Sequence, residues 1–180
     1  MLNCFMHKIL FKKYYFIEKF HKSNIDKQDK NTTIIYRNYK TKINTEEILI
    51  LKDYCKRKSL KFLLSNHIKL SIKLRLDGVY LPAFNNSFIH LSYKLRKNFL
   101  IIGSAHNLQE IRIKERQGVK EIFVSSIFKK NNNFLGINKF RLISDLSKKK
   151  IIALGGVSKK NINLIQLTKS IGFAGISYFK

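Results

Sequence analysis

A chain of 180 residues is long enough to bury a real core. Its hydrophobic content of 44% is ordinary for a globular protein, and no apolar run approaches the length that crosses a bilayer, so no membrane segment is expected. Lys and Arg outnumber Asp and Glu by 36 to 11, a formal charge of +25, which has two readings: a polyanionic partner such as RNA or DNA, or compositional drift, because the lysines are scattered along the whole chain.

The N-terminus, Met1 to Phe16, is interrupted by His7, Lys8, Lys12 and Lys13 and is followed by no small-residue cleavage site, unlike a secretory signal. Cys4 and Cys55 form no metal-binding spacing, and a reduced, cytoplasmic setting is expected. Tyr14-Tyr15-Phe16-Ile17 is a first strand by its aromatic and β-branched content. His21 to Asn31 is polar, with at most one helical turn, and Thr32 to Arg37 is a second strand. Thr45 to Lys58 is helical, with Ile48, Leu51 and Cys55 on one face, Thr45 as cap and Glu46-Glu47 in the first turn. Lys61 to Ser65 is a third strand, followed by a short helix through Leu70 and Leu74.

Gly78 to Leu81 is a fourth strand, stopped by Pro82. Ser87 to Lys97 reads as a helix and Phe99 to Gly103 as the fifth strand. Asn107 caps a helix that ends at Gly118. Glu121 to Ser125 is the sixth strand, and a helix over Ile137 to Lys148 follows a polar loop. Lys150 to Leu154 is a continuous apolar strand that runs into Gly155-Gly156, then a helical segment from Asn161 to Ser170. Phe173 to Tyr178 is the eighth strand.

Regular β–α alternation means a parallel sheet, and eight such units predict a compact (β/α)₈ TIM barrel with a vestigial first helix and no final helix, as one domain over residues 1–180. Chemistry in this fold sits at the carboxyl ends of the strands. Arg37-Asn38-Tyr39, Ser65-Asn66-His67, Ala83-Phe84-Asn85, Ser104 to His106, Ser125 to Lys130, Gly155-Gly156 and Phe179-Lys180 are therefore expected at the mouth. A glycine pair after a buried strand makes either a tight turn or a backbone cradle for an anion. His67 and His90 have no partner pattern and read as surface residues.

The motifs at these strand ends resemble the thiamine phosphate synthase family, which also contains the thiazole tautomerases. Asp77-Gly78-Val79-Tyr80-Leu81, Ile101-Ile102-Gly103-Ser104-Ala105-His106-Asn107 with Glu110, Ser125-Ser126-Ile127-Phe128 before Leu135-Gly136, Ile152-Ala153-Leu154-Gly155-Gly156-Val157 before Asn161-Ile162, and Gly172-Phe173-Ala174-Gly175-Ile176 carry the resemblance, which spans roughly Thr33 to Lys180. It implies a (β/α)₈ barrel in thiamine biosynthesis. The synthases, transferases by class, couple hydroxymethylpyrimidine diphosphate to a thiazole phosphate carboxylate, with loss of pyrophosphate and CO₂ and with Mg²⁺ on the departing diphosphate. The partners implied are these phosphorylated pyrimidine and thiazole molecules.

Residue by residue, the resemblance places substrate-binding roles on Arg37, Ser104, Gly155 and Gly156, with the strand-8 backbone contribution at Phe179 and Lys180. Tyr39 stands where the family has a lysine. The metal-ligand positions fall on Asn66 and Asn85, which bring carbonyl oxygens but no charge. His106 occupies the position of a proton-moving histidine in the tautomerase branch. Lys129, Lys130 and Lys180 are the cations nearest to replacing the missing lysine. Three readings stand at this point: a divergent synthase, a thiazole tautomerase that needs no metal, and a non-catalytic barrel that binds a phosphorylated ligand or nucleic acid.

Overall fold

The structure is a computed structural model that describes residues 11–180. Cys4 and most of the N-terminal basic and apolar segment lie outside the described residues. Eight parallel strands close in sequence order into a barrel: β1 (Lys12–Ile17), β2 (Thr32–Tyr36), β3 (Lys61–Ser65), β4 (Gly78–Leu81), β5 (Leu100–Ala105), β6 (Glu121–Ser125), β7 (Lys150–Leu154) and β8 (Gly172–Gly175). Closure is made by β1 on β8, where Tyr14 is opposite Ala174. Five α-helices cover the barrel: α1 (Lys22–Asp26), α2 (Thr45–Arg57), α3 (Ile68–Lys73), α4 (Leu108–Arg116) and α5 (Gly136–Asp145). The short first helix matches the sequence expectation.

Alternation along each strand sorts the apolar residues into two layers. Tyr14, Phe16, Ile35, Leu63, Tyr80, Ile102, Phe123, Ile152 and Ala174 form one buried cluster, the barrel interior. Their neighbours, such as Tyr15, Ile34, Leu64, Val79, Val124 and Ala153, belong to a second cluster with Ile48, Leu51, Ile111 and Phe140 of the helices. Aromatic rings fill the interior: Tyr14 lies 4.8 Å from Phe123, Phe16 is edge-on to Tyr80 at 5.2 Å, and Tyr80 stacks on Phe123 at 5.5 Å. The barrel centre is a packed core rather than a channel. At its amino-terminal end the Tyr14 hydroxyl and the Lys12 ammonium both bond the buried Glu121 carboxylate, so that buried charge is paired.

Local sequence accounts for the longer helices. Asn44, one residue before the expected Thr45, caps α2 by accepting the Glu46 and Glu47 amides at 2.9 and 3.3 Å. Asn107 caps α4 through the Glu110 amide at 2.9 Å, and Gly118 follows it at φ +70°. Two expected helices are absent. Residues 87–97 make only a 3₁₀ turn over Ile89–Ser92, and 161–170 only a 3₁₀ turn over Ile162–Leu167. In the first, Ile89 and Leu91 stand two apart and both remain exposed, so no helical stripe meets the barrel. His90, expected at the surface, is buried there with its Nε2 2.7 Å from the Gln117 carbonyl. β8 is shorter than expected and ends at Gly175, after which the Phe179 amide turns back to the Ile176 carbonyl. Among the described residues, no helix is long and apolar enough to cross a membrane.

Candidate active site

The carboxyl ends of β1, β2, β6, β7 and β8 enclose a cavity of about 250 Å³ lined by Arg37, Ser125, Ser126, Lys129, Gly155, Gly156, Ile176 and Ser177, among others. Gly155 and Gly156 adopt φ +98° and +79°, the left-handed region that favours glycine. The turn they make is clamped to the loop after β6. The amides of Phe128 and Lys129 donate to the Gly155 carbonyl at 2.9 and 3.1 Å, and Asn161 Nδ2 donates to the Gly156 carbonyl at 2.9 Å. These bonds occupy both carbonyls of the turn. Among the described residues, the Gly156 and Ser177 amides donate to no protein acceptor. Free backbone amides beside a cavity are groups that can hold an anion.

Arg37 continues β2 into the same cavity, its guanidinium 4.5 Å above the Phe16 ring. It makes no ion pair among the described residues. A stacked, unpaired arginine beside free amides and Lys129 gives the cavity a positive potential suited to an anion.

Ser104 and His106 are on the neighbouring strand end and do not line this cavity. Ser104 is buried, and its Oγ accepts from the Tyr80 hydroxyl at 2.7 Å. Burial pushes the Tyr80 phenol up to about 12, so it stays a donor at neutral pH. His106 is held by its backbone, whose N–H donates to Glu110 Oε2 at 2.7 Å. Its Nδ1 lies 2.9 Å from Ser125 Oγ and 3.1 Å from the Ser125 carbonyl.

Phe179 and Lys180 fall elsewhere than the resemblance implied. The Phe179 ring is buried, stacked on Tyr15 and Phe173 at 4.8 and 5.8 Å. Lys180 lines an adjacent cavity with Glu18, Lys19 and Ile176. The early end of β8 is the cause: the backbone that reaches the glycine pair is Ile176-Ser177. Sequence reasoning put Ile176 and Ser177 in the eighth strand without giving them a site role, and it assigned no role to Ser125. The free amides leave no mark in residue type, and an isolated serine is a weak signal.

Asn66 and Asn85 do come together, but not as ligands. Asn85 Nδ2 donates to Asn66 Oδ1 at 2.6 Å, while Asn85 Oδ1 accepts the Ser87 amide at 3.0 Å and Gln117 Nε2 at 3.4 Å. Both carbonyl oxygens are already engaged. Behind them the fully buried Lys114 donates to the Asn85 backbone carbonyl at 2.6 Å. Burial pushes this ammonium down to about 8, a value at which it is still mostly charged at neutral pH. Two neutral amides bonded to each other beside a buried cation do not fit Mg²⁺, which takes carboxylate or phosphate oxygens in an octahedral shell. Among the described residues, no group of three or more His, Cys, Asp or Glu is placed to hold a metal ion. Tyr39, in the place of the family lysine, donates to or accepts from Ser65 Oγ at 2.6 Å and covers this region with Phe84.

Comparison with known proteins gives a consistent result. A family model described as thiamine monophosphate synthase matches residues 24–179. A thiamine-phosphate synthase of Coprothermobacter proteolyticus is 26% identical over 72% of this chain and 63% of its own length. A putative thiamine-phosphate synthase 2 of Aquifex aeolicus is 28% identical over 65% of this chain and 64% of its own length. The chain thus spans less than two thirds of either relative. Among solved structures, a thiamine phosphate pyrophosphorylase from Pyrococcus furiosus superposes with a TM-score of 0.76 at 20% identity, over 92% of this chain and 85% of that one. At that identity the likeness establishes the (β/α)₈ fold.

Proposed function

Because the chain belongs to the thiamine monophosphate synthase family, we propose that it acts in thiamine biosynthesis on the phosphorylated thiazole. The observation that carries this reading is the mouth cavity, where the Gly156 and Ser177 amides, Arg37 and Lys129 converge on about 250 Å³. A thiazole phosphate carboxylate is small and has two anionic ends. Its phosphate suits the β7–β8 amides, and Arg37 and Lys129 are the cations available to its carboxylate.

Two reactions of the family use this ligand, and the site favours the one without a diphosphate. Departure of pyrophosphate needs positive charge on the leaving oxygens. The Asn66–Asn85 pair supplies none, and both of its side-chain carbonyls already accept hydrogen bonds. Isomerisation of the thiazole needs only an anchored phosphate and a proton carrier, and His106 with Ser125 stands at the cavity edge. We therefore place thiazole isomerisation first. Coupling to hydroxymethylpyrimidine diphosphate is the second reading, favoured by the synthase relatives and by Ser104 in the position implied for diphosphate contact.

The test is direct. Purified protein is given the thiazole phosphate carboxylate alone, then with the pyrimidine diphosphate and Mg²⁺. Isomerised thiazole in the first incubation supports the reading. Thiamine phosphate formed only in the second moves the protein to the synthase branch. Neither product, alongside an active control enzyme, leaves a phosphate-binding barrel without this chemistry.

A further inference from the structure

Ser125 ends β6, and its position relative to His106 is the most specific side-chain arrangement at the mouth. It lines the cavity that holds Arg37, Lys129 and Gly156, and His106 does not. The serine Oγ is 2.9 Å from His106 Nδ1. Any route from the imidazole to a ligand in that cavity by way of this nitrogen passes through the Ser125 hydroxyl.

The same ring nitrogen faces a second group with the opposite requirement. The Ser125 backbone carbonyl lies 3.1 Å from Nδ1 and can only accept a proton. The hydroxyl can donate to an unprotonated Nδ1; the carbonyl bonds a protonated one. A nitrogen flanked by both has a partner before and after it takes up a proton. A structural histidine needs only one of these partners, and a general base uses both states in turn. The backbone that carries the ring is fixed by its N–H, which donates to the Glu110 carboxylate on α4. Ser125 is buried apart from its cavity face, so bulk water does not compete freely for its hydroxyl.

We propose that Ser125 and His106 form the acid–base pair of this barrel, with Ser125 Oγ the atom that touches the substrate, a small heterocycle carrying a phosphate monoester. In the forward step the substrate's acidic C–H or N–H bond breaks and its proton passes to Ser125 Oγ. The serine's own proton moves to His106 Nδ1, where the Ser125 carbonyl accepts the new N–H. The electron pair left on the substrate shifts within the ring. The return step runs the same transfers backward onto a second ring position. One proton leaves and one arrives, nothing is oxidised or reduced, and no group departs. Arg37 and Lys129 face the same space and offset the negative charge that develops between the two steps. Ser125 is the catalytic residue by contact; His106 acts through it.

This inference rests on the thiazole reading of the cavity, and the experiment separates the two. Wild-type protein, Ser125→Ala and Ser125→Thr are compared in D₂O for deuterium incorporation into the thiazole phosphate carboxylate. Affinity for inorganic phosphate and the ¹⁵N shifts of the His106 ring are measured on the same samples. The expected result is a loss of about 100-fold or more in exchange for Ser125→Ala, the range of general acid–base contributions. Phosphate affinity stays within about twofold because the cradle is backbone. The Ser125→Thr protein keeps the hydroxyl and recovers part of the rate. Wild-type exchange in Ser125→Ala overturns the pair as a catalytic unit. Unchanged His106 ¹⁵N shifts in that variant overturn the hydrogen bond itself, whatever the substrate. Absence of both binding and exchange in the wild type overturns the thiazole reading, and with it the substrate assigned to Ser125.

Discussion

Replacing Gly156 by alanine is the most discriminating perturbation of the proposed phosphate cradle. At φ +79° a side chain is strained, and a Cβ placed there meets the Lys129 amide nitrogen at 2.6 Å and the Phe128 carbonyl carbon at 3.0 Å. Both contacts are backbone and cannot rotate away. The left-handed conformation costs about 1–2 kcal/mol for an alanine, and forced repacking about 1–3 kcal/mol more. A total of about 3 kcal/mol lowers the melting temperature by roughly 6–12 °C in a chain of this size. The displaced loop also disturbs the Gly156 amide, so phosphate affinity falls by about tenfold or more, the loss of one charge-assisted bond. Gly175 is the internal control. It lines the same cavity, has no positive φ, and its added Cβ meets nothing closer than the Val157 carbonyl at 3.9 Å. Gly175→Ala is expected to melt within a few degrees of wild type. Thermal melts and phosphate titration calorimetry on both variants check this. Equal melting of Gly156→Ala and wild type, or equal damage from the two substitutions, would refute the clamped-turn argument.

Other outcomes follow from the same geometry. Arg37→Ala weakens binding of the thiazole phosphate carboxylate by about tenfold, and Arg37→Lys does not restore it, because an ammonium loses the stacking on Phe16; calorimetry measures both. Wild-type protein shows no Mg²⁺ uptake at low millimolar metal, whereas the Asn66→Asp, Asn85→Asp double variant gains a measurable Mg²⁺ affinity, since two carboxylates then replace the bonded amides. Lys114 has a folded pKa of about 8 against 10.5 for the free side chain, so the unfolded chain holds the proton more tightly. Its unfavourable contribution is full below about pH 8 and is relieved as pH rises toward 10.5, so stability relative to Lys114→Met gains about 1–2 kcal/mol between pH 8 and 9.5; urea melts at the two pH values measure it. RNA binding, if it reflects scattered charge alone, vanishes at physiological salt in a filter or anisotropy titration.

Much of this architecture was legible in the residues. Continuous or alternating apolar runs located every strand, and their regular alternation with helical segments led to the barrel, because parallel strands need crossovers and eight of them close on themselves. Strand ends then placed Arg37 and the glycine pair at one mouth, and they do line one cavity. Helix extent was less legible. The segments around Ile89 and Ile162 hold apolar residues, but burial against the barrel decides whether a turn propagates, and Leu91, Leu164 and Leu167 stay exposed.

By itself the chain determined the barrel, the family and the type of residue at each strand end, all of which depend on local pattern and on order. Tertiary structure decided which of those residues meet and which groups remain free. β8 stops at Gly175, so Ile176 and Ser177, not Phe179 and Lys180, reach the glycine pair. Asn66 and Asn85, distant in sequence, spend their carbonyls on each other and on Gln117 and Ser87. Ser125 Oγ and His106 Nδ1 come within 2.9 Å of each other only because β5 and β6 are paired neighbours. Hydrogen bonds between strand ends depend on distances of a few tenths of an ångström, and composition and periodicity carry no information at that scale.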